Sequence, residues 1–185
     1  IGGPVRWEGL GAETQYASAN GGTFSNNLVD GSVALTDPAH ATWGGFIQAV
    51  FGIRVAGSVS TSDDLSFINN TISNVQVGLV HEPNLPLTLS GNSISAIEDF
   101  ILLQKAQNSA GAYEAAGGQG SVNATAGNTF NSVASGSASL AQLFDIEDKI
   151  THKLDNEELG LVRVVAENLY VTDLSDSIQR GVDAS

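Results

Sequence analysis

Asn69-Asn70-Thr71-Ile72-Ser73-Asn74-Val75 is one of three copies of a short phrase; the others are Gly91-Asn92-Ser93-Ile94-Ser95-Ala96-Ile97 and Gly127-Asn128-Thr129-Phe130-Asn131-Ser132-Val133. The common pattern is Asn or Gly, then Asn, Thr or Ser, Ile or Phe, Ser or Asn, any residue, and Val or Ile. Its first two positions hold residue types that tolerate φ > 0, which suits a chain that turns sharply before resuming an extended path. The positions after them alternate polar, apolar, polar, the signature of a half-buried strand. An Asn at the same place in successive copies can stack amide on amide, each side chain hydrogen-bonding the one above and the one below.

The spacing points the same way. Asn70 to Asn92 is 22 residues and Asn92 to Asn128 is 36, a second such interval lengthened by an insertion. Residues 106–121, with Gly111, Gly117, Gly118 and Gly120 among Ala, Ser and Gln, carry no apolar period and read as that insertion, a loop thrown out from the stack. Upstream, Val50, Ile53 and Val55 stand 22 residues before Ile72, Val75 and Val77, although the Asn is missing there. Gly22-Thr23-Phe24-Ser25 echoes Asn128-Thr129-Phe130-Asn131. Periods in this range predict a solenoid, here of about five coils.

These residues resemble the right-handed parallel β-helix, the superfamily that includes pectate lyases, in whose repeats Gly-Asn-Ser/Thr-Ile-Ser is frequent. The resemblance implies an all-β fold and is nearly silent about chemistry. The expected organisation is a right-handed parallel β-helix over residues 1–138 and a helix-plus-strand cap or linker over 139–185, leading to a following module.

Within the stack, the best coil is 65–86, with Leu65, Phe67, Ile72, Val75, Val77 and Leu79 expected inside. Its successor, 87–108, offers Leu87, Leu89, Ile94, Ile97, Ile101 and Leu103 at the same offsets, but Asp99 takes the place of Val77. Either a bulge at Glu98-Asp99 turns both carboxylates out, the reading preferred here, or Asp99 is a buried exception. Upstream, 23–26 and 32–36 read as short strands, Asp37-Pro38 and Asp63-Asp64 as turns, and Phe46, Val50, Ile53 and Val55 as inward residues with Gly52 at a corner. Trp7 is placed over an apolar edge of the stack.

After Gly136 the period changes. Leu140, Leu143, Phe144, Ile150 and Leu154 follow helical spacing, predicting an amphipathic helix of about 12 to 16 residues that covers the open end of the stack. Ser139 is its N-cap. Leu161-Val162-Arg163-Val164-Val165 and Leu169-Tyr170-Val171-Thr172 read as strands, and residues 175–185 as the start of a helix with Ile178 and Val182 on one face. This tail resembles segments that follow β-helical regions in very large bacterial surface or secreted repeat proteins: Ile146-Glu147-Asp148-Lys149-Ile150-Thr151-His152, then Gly160-Leu161-Val162 and Asn168-Leu169-Tyr170-Val171-Thr172. Ser177-Ile178-Gln179-Arg180-Gly181-Val182-Asp183-Ala184 is similar to the short helix with which a new module of that kind begins.

Composition narrows the function classes. The 185 residues carry 7 Lys plus Arg against 20 Asp plus Glu, a net charge of −13. Such a surface opposes nucleic acid and anionic membranes and favours cations. With no Cys there is no disulfide, thiol nucleophile or thiolate metal site. No apolar run reaches the ~20 residues of a spanning helix, and no signal-peptide pattern opens the chain. Met is absent and the chain begins at Ile1, so it is expected to be a mature or excised portion of something longer.

Catalytic patterns are sparse. Of the seven basic residues, Arg54 and Lys105 alone lie within the expected coils, and Arg54 has no acidic residue within eight positions, which argues against a lyase base poised beside carboxylates. The pairs Asp63-Asp64, Glu98-Asp99, Glu147-Asp148 and Glu157-Glu158 are adjacent in sequence, and strand neighbours point to opposite faces, so each reads as a solvated turn rather than a dyad. A dyad would need two coils, as with Asp64 and Glu82. His40, His81 and His152 are scattered without metal-ligand spacing. Calcium remains open as a ligand in turns such as 173–176 or near Asp63-Asp64. No catalytic or cofactor residue is assigned, and the metal site is left unknown.

The expected role is a structural or adhesive module of an extracellular bacterial surface protein, self-associating or joined to neighbouring modules of the same chain and assembling into a fibre. The alternative is a carbohydrate-binding or polysaccharide-degrading domain that uses Trp7, Trp43 or Tyr113 as sugar platforms. Neither reading involves nucleic acid or membrane insertion.

Overall fold

The computed structural model describes residues 5–8, 11–14, 22–31, 42–43, 46–47, 51–55, 65–105, 118, 120–175 and 177–184. The phrase behaves as a corner. The residue before its asparagine takes the left-handed conformation each time, Asn69 at φ 55°, Gly91 at 66° and Gly127 at 66°, and so does Asn26 at 58°. Four corners therefore join four strand pairs: Thr23–Ser25 to Leu28–Asp30, Leu65–Ile68 to Thr71–Val75, Leu87–Ser90 to Ser93–Ala96, and Val122–Ala126 to Thr129–Phe130. The two strands of each corner enter different sheets.

Three sheets result. The first runs Val5–Glu8, Gly11–Thr14, Phe51–Val55, Val77–His81, Ile101–Leu103, Ile150–Thr151, and its first pair is antiparallel while the others are parallel. The second, Val162–Arg163, Val122–Ala126, Leu87–Ser90, Leu65–Ile68, Thr23–Ser25, is parallel throughout. In the third, Leu28–Asp30, Thr71–Val75, Ser93–Ala96 and Thr129–Phe130 are parallel, and Val133–Ala134 closes the edge antiparallel. A separate hairpin pairs Thr42–Trp43 with Phe46–Ile47.

This corrects the expected all-β, right-handed parallel β-helix of about five coils. The described residues form three mostly parallel sheets with antiparallel closures and a few interleaved helices, not a closed solenoid. The uniform 22-residue period fails for a physical reason: the interval between stacked asparagines is 43, then 22, then 36 residues, so the corners are constrained and the chain between them is not. Upstream, Ile53 lies beside Leu79 and Val55 beside His81, rather than in register with Val75 and Val77. Phe24 aligns with Phe67, and it is Leu28-Val29-Asp30 that aligns with Thr71-Ile72-Ser73.

Side chains pointing between the sheets form the core, and the expected inward set of 65–86 is buried throughout. In the following stretch Ile97 departs from expectation, being 60 % exposed. The register slips between Ile94 and Ala96, so that Ala96 meets Val75 and Phe100 enters the core in place of Ile97. Gly52 is not a corner but lies inside a strand, where an added Cβ would come within 2.5 Å of the Gly78 carbonyl oxygen.

The expected long helix is short. Helix α1 spans Leu140–Glu147, with Ser139 and Gln142 forming a capping box at its start. It ends because Ile150 pairs beside Ile101 in the first sheet. Leu143, Ile146 and Glu147 are its buried residues, while Leu140 is 61 % exposed. Val162–Arg163 then extends the second sheet, the segment 169–172 forms no strand, and helix α2 covers Ile178–Ala184. The readings for 32–36, Asp37-Pro38, Val50, Asp63-Asp64 and 106–117 lie outside the described residues, as do the side chains of Trp7 and Trp43.

The phrase asparagines form a continuous row. Asn27 Nδ2 donates to Asn70 Oδ1 at 2.9 Å, Asn70 Nδ2 to Asn92 Oδ1 at 2.9 Å, and Asn92 Nδ2 to Asn128 Oδ1 at 3.0 Å. Each Oδ1 so used also accepts the backbone N–H of the preceding rung. The second Nδ2 hydrogen of Asn70, Asn92 and Asn128 goes to the carbonyl of Phe24, Phe67 and Leu89. The Asn92 amide, 2 % exposed, thus fills all four of its hydrogen-bonding sites.

Replacing a middle rung strands several groups at once. Asn92→Ala leaves the Asn70 N–H and Nδ2–H without partners in a dry interior and takes one donor from the Phe67 carbonyl, at roughly 1–3 kcal/mol for each orphan. The expected loss is about 3 kcal/mol or more in urea unfolding, against about 1 kcal/mol for Asn27→Ala at the half-exposed end of the row. Equal losses at the two positions would show that the row does not act as a buried unit.

Candidate functional site

Among the described residues, chemistry-bearing side chains gather in two buried clusters and along an open groove. Arg54 sits on the strand Phe51–Val55, and Glu82 follows the neighbouring strand Val77–His81, its N–H donating to the Val55 carbonyl at 3.0 Å. This places the Arg54 guanidinium over the Glu82 carboxylate: Nε and Nη2 donate to Oε1 at 3.0 and 2.8 Å, and Gln104 Nε2 donates to the same oxygen at 2.8 Å. The Glu82 side chain is 1 % exposed. Arg54 is thus paired, although no acidic residue lies near it in sequence. Lys105, the other basic residue of the stack, pairs with Glu158.

A second cluster ties α1 to the second sheet. The Val162 N–H donates to His152 Nδ1 at 2.9 Å, so that nitrogen is an acceptor and the ring proton sits on Nε2, 2.7 Å from Glu147 Oε1. Glu147 is buried, and burial raises its pKa against the lowering effect of His152. A general acid or base must reach a substrate atom. Glu82, Glu147 and His152 are closed off from solvent, and their partners are protein groups.

His81 is the one buried side chain with an unmet polar atom among the described residues. Its Nε2 lies 2.8 Å from the Leu85 carbonyl oxygen and Nδ1 has no partner, so the ring donates from Nε2 and is neutral. Burial lowers its pKa from 6.5 to about 4. Asp99, expected on an outward bulge with Glu98, is half-buried: Glu98 is exposed, whereas Asp99 accepts from Thr151 Oγ1 at 3.4 Å and burial raises its pKa.

The open feature lies on the outer face of the second sheet. Thr88, Asn123 and Arg163 stand side by side in register, while their neighbours Leu87, Val122 and Val162 point into the core. They floor a groove of about 1140 Å³, walled by Leu169 and by Ile178 and Val182 of α2. No carboxylate among the described residues pairs with Arg163. Ile178 and Val182, 77 % and 62 % exposed, give the groove an apolar lip.

Of the other candidate residues, His40, Tyr113, Asp63 and Asp64 lie outside the described residues, as does Asp176 of the 173–176 turn. Glu157 and Glu158 are exposed, and Asp148 is exposed beside the buried Glu147. Among the described residues no group of three or more His, Asp or Glu side chains gathers as a metal site. No helix among them is long and apolar enough to cross a membrane.

Sequence reasoning missed both buried clusters. One signal was present: Glu82 and Gln104 are 22 residues apart, the same interval as Asn70 and Asn92, so they occupy equivalent places in adjacent strands. Comparison with known proteins finds no matching family model, no matching curated protein and no matching solved structure.

His81 makes stability depend on pH with a definite sign. Its folded pKa is depressed, so its contribution is complete above about pH 6.5 and is lost as pH falls towards 4. At about 1.36 kcal/mol per unit this amounts to at most about 3 kcal/mol. Asp99 and Glu147, both raised, act in the opposite sense, disfavouring the fold as pH rises through their folded values. Comparing the chain with His81→Gln isolates the histidine: between pH 7 and pH 4 the wild type should lose up to about 3 kcal/mol more in urea unfolding. Parallel profiles would show that His81 takes up its proton without penalty.

Proposed function

We propose that the chain is a structural and adhesive module of an extracellular bacterial surface protein, acting by extension and by contact with neighbouring modules of the same protein or further copies of itself. The observation that supports this is the use made of the interior polar groups. The asparagine row runs through four corners, and the Arg54–Glu82–Gln104 and Glu147–His152 clusters lock adjacent segments to one another. Such groups set strand register and resist sliding, which a load-bearing module needs more than a pocket. A net charge of −13 separates these modules in low salt, and a divalent cation such as calcium would screen their approach.

Sedimentation and electron microscopy of the concentrated chain, with and without calcium, test this reading. The expected result is concentration-dependent association into end-to-end particles, enhanced by calcium. A chain that stays monomeric at every concentration in both conditions would remove the self-assembly part.

A second reading is favoured by the groove over Thr88, Asn123 and Arg163: a carbohydrate-binding or polysaccharide-degrading domain, with Arg163 meeting an acidic sugar. A panel of acidic and neutral polysaccharides separates the two. Cleavage, or tight binding lost in Arg163→Ala, would replace the structural reading with this one.

A further inference from the structure

Asn-x-Ser/Thr, with x other than Pro, is the acceptor pattern for an N-linked sugar. It occurs twice in the chain, at Asn69-Asn70-Thr71 and at Asn123-Ala124-Thr125. Transfer of a sugar needs an amide nitrogen that faces solvent and has no other partner, and the two copies differ in this respect.

Asn123 lies in the strand Val122–Ala126 of the second sheet. Thr88 pairs with Asn123 but Ser90 with Ala126, so this strand carries one residue more than its neighbour and bulges at Ala124-Thr125. At the bulge the Thr125 N–H donates to Asn123 Oδ1 at 3.2 Å, and the Thr125 hydroxyl donates to the same oxygen at 2.9 Å. A backbone N–H can only donate, so the atom facing it is the amide oxygen and Nδ2 is turned the other way. Asn123 is exposed, and its Nδ2 meets no acceptor among the described residues. It stands between Thr88 and Arg163 on the floor of the groove of about 1140 Å³, which has room for a sugar ring.

Asn69 is also exposed, but its acceptor pattern is split by a corner. Asn69 takes φ 55°, and the middle residue, Asn70, is a buried rung of the asparagine row. The Thr71 N–H is spent on the Asn27 carbonyl at 2.8 Å, so it does not turn back to the Asn69 side chain. The Asn69 carboxamide instead lies close over Gly91, where an added Cβ would come within 2.3 Å of its oxygen.

We propose that Asn123 is a site of N-linked glycosylation and that the fold selects it over Asn69. The donor is a sugar activated as a nucleotide or polyprenyl diphosphate. Asn123 Nδ2 forms a bond to the anomeric carbon as the bond from that carbon to the phosphate oxygen breaks. The diphosphate leaves with the bonding pair, and the amide gives one proton to a base of the transferase. Thr125 is a positioning residue, holding the carboxamide with its nitrogen towards the groove. The attached ring lies along the outer face of the second sheet, beside Thr88, Arg163 and the apolar lip at Ile178. This assignment goes beyond the structural reading and is tested without reference to it.

Peptide mapping of the protein from its natural source, with fragmentation that keeps sugars on their residues, reads the site directly. The expected result is a hexose or longer glycan on Asn123 and a bare Asn69. The choice made by the fold is read on the folded full chain, treated with UDP-glucose and an N-glucosyltransferase that modifies synthetic peptides of residues 65–75 and 120–129 equally. On the folded chain Asn123 should be modified at least about tenfold faster than Asn69, a difference of about 1.4 kcal/mol in barrier. An unmodified Asn123 in the natural protein would overturn the site. Equal rates at the two asparagines, or a faster Asn69, would overturn the part given to the fold.

Discussion

A buried amide tolerates no vacancy. Its carbonyl oxygen and two hydrogens all need partners, and in a low-dielectric interior each unmet group is a penalty comparable to a large share of a domain's net stability. The asparagine row meets this demand with other asparagines one strand spacing away, which is possible only if the backbones of successive corners stack parallel and in register. The second and third sheets follow from that condition, because every corner sends one strand into each. A one-residue slip would turn each asparagine outward and each Ile or Phe away from the core.

The same condition explains why the chain between corners is free to vary. The rung-to-rung hydrogen bonds stay at 2.9 to 3.0 Å although the intervening lengths are 43, 22 and 36 residues. Lengthening a surface excursion adds little loop entropy, on the order of 0.6 kcal/mol per doubling, which is small beside the loss of a rung. Local order therefore persists without a uniform repeat. The far end can give up the parallel pattern altogether, folding Val133–Ala134 back and inserting α1 before the first sheet resumes at Ile150.

The charged residues obey a related rule at other sites. Burying Glu82 or Glu147 without a counterpart would be strongly unfavourable, so each is met by a cationic or hydrogen-bonding side chain brought in by strand register or by the turn after α1. These pairs weld one segment to the next, and among the described residues the groove beside Arg163 stays open to other molecules.

Sequence alone determined what depends on neighbours along the chain. Asn or Gly at the corner announces φ > 0 because few other residues reach it, the polar–apolar alternation announces strands, and Ser139 three residues ahead of Gln142 announces a helix start. The stacking of Asn70, Asn92 and Asn128 was also legible, since identical residues in identical local settings have only one another as symmetric partners. Tertiary structure alone decided the rest. Arg54 meets Glu82 across 28 residues, His152 takes the Val162 N–H, Ile97 gives its inward place to Phe100, and Ile150 leaves the helix for a strand. Each outcome depends on the register between distant segments, which packing sets and a local pattern does not encode. The solenoid expectation failed for the same reason: a local phrase specifies a corner, whereas closure depends on how the long segments between corners return.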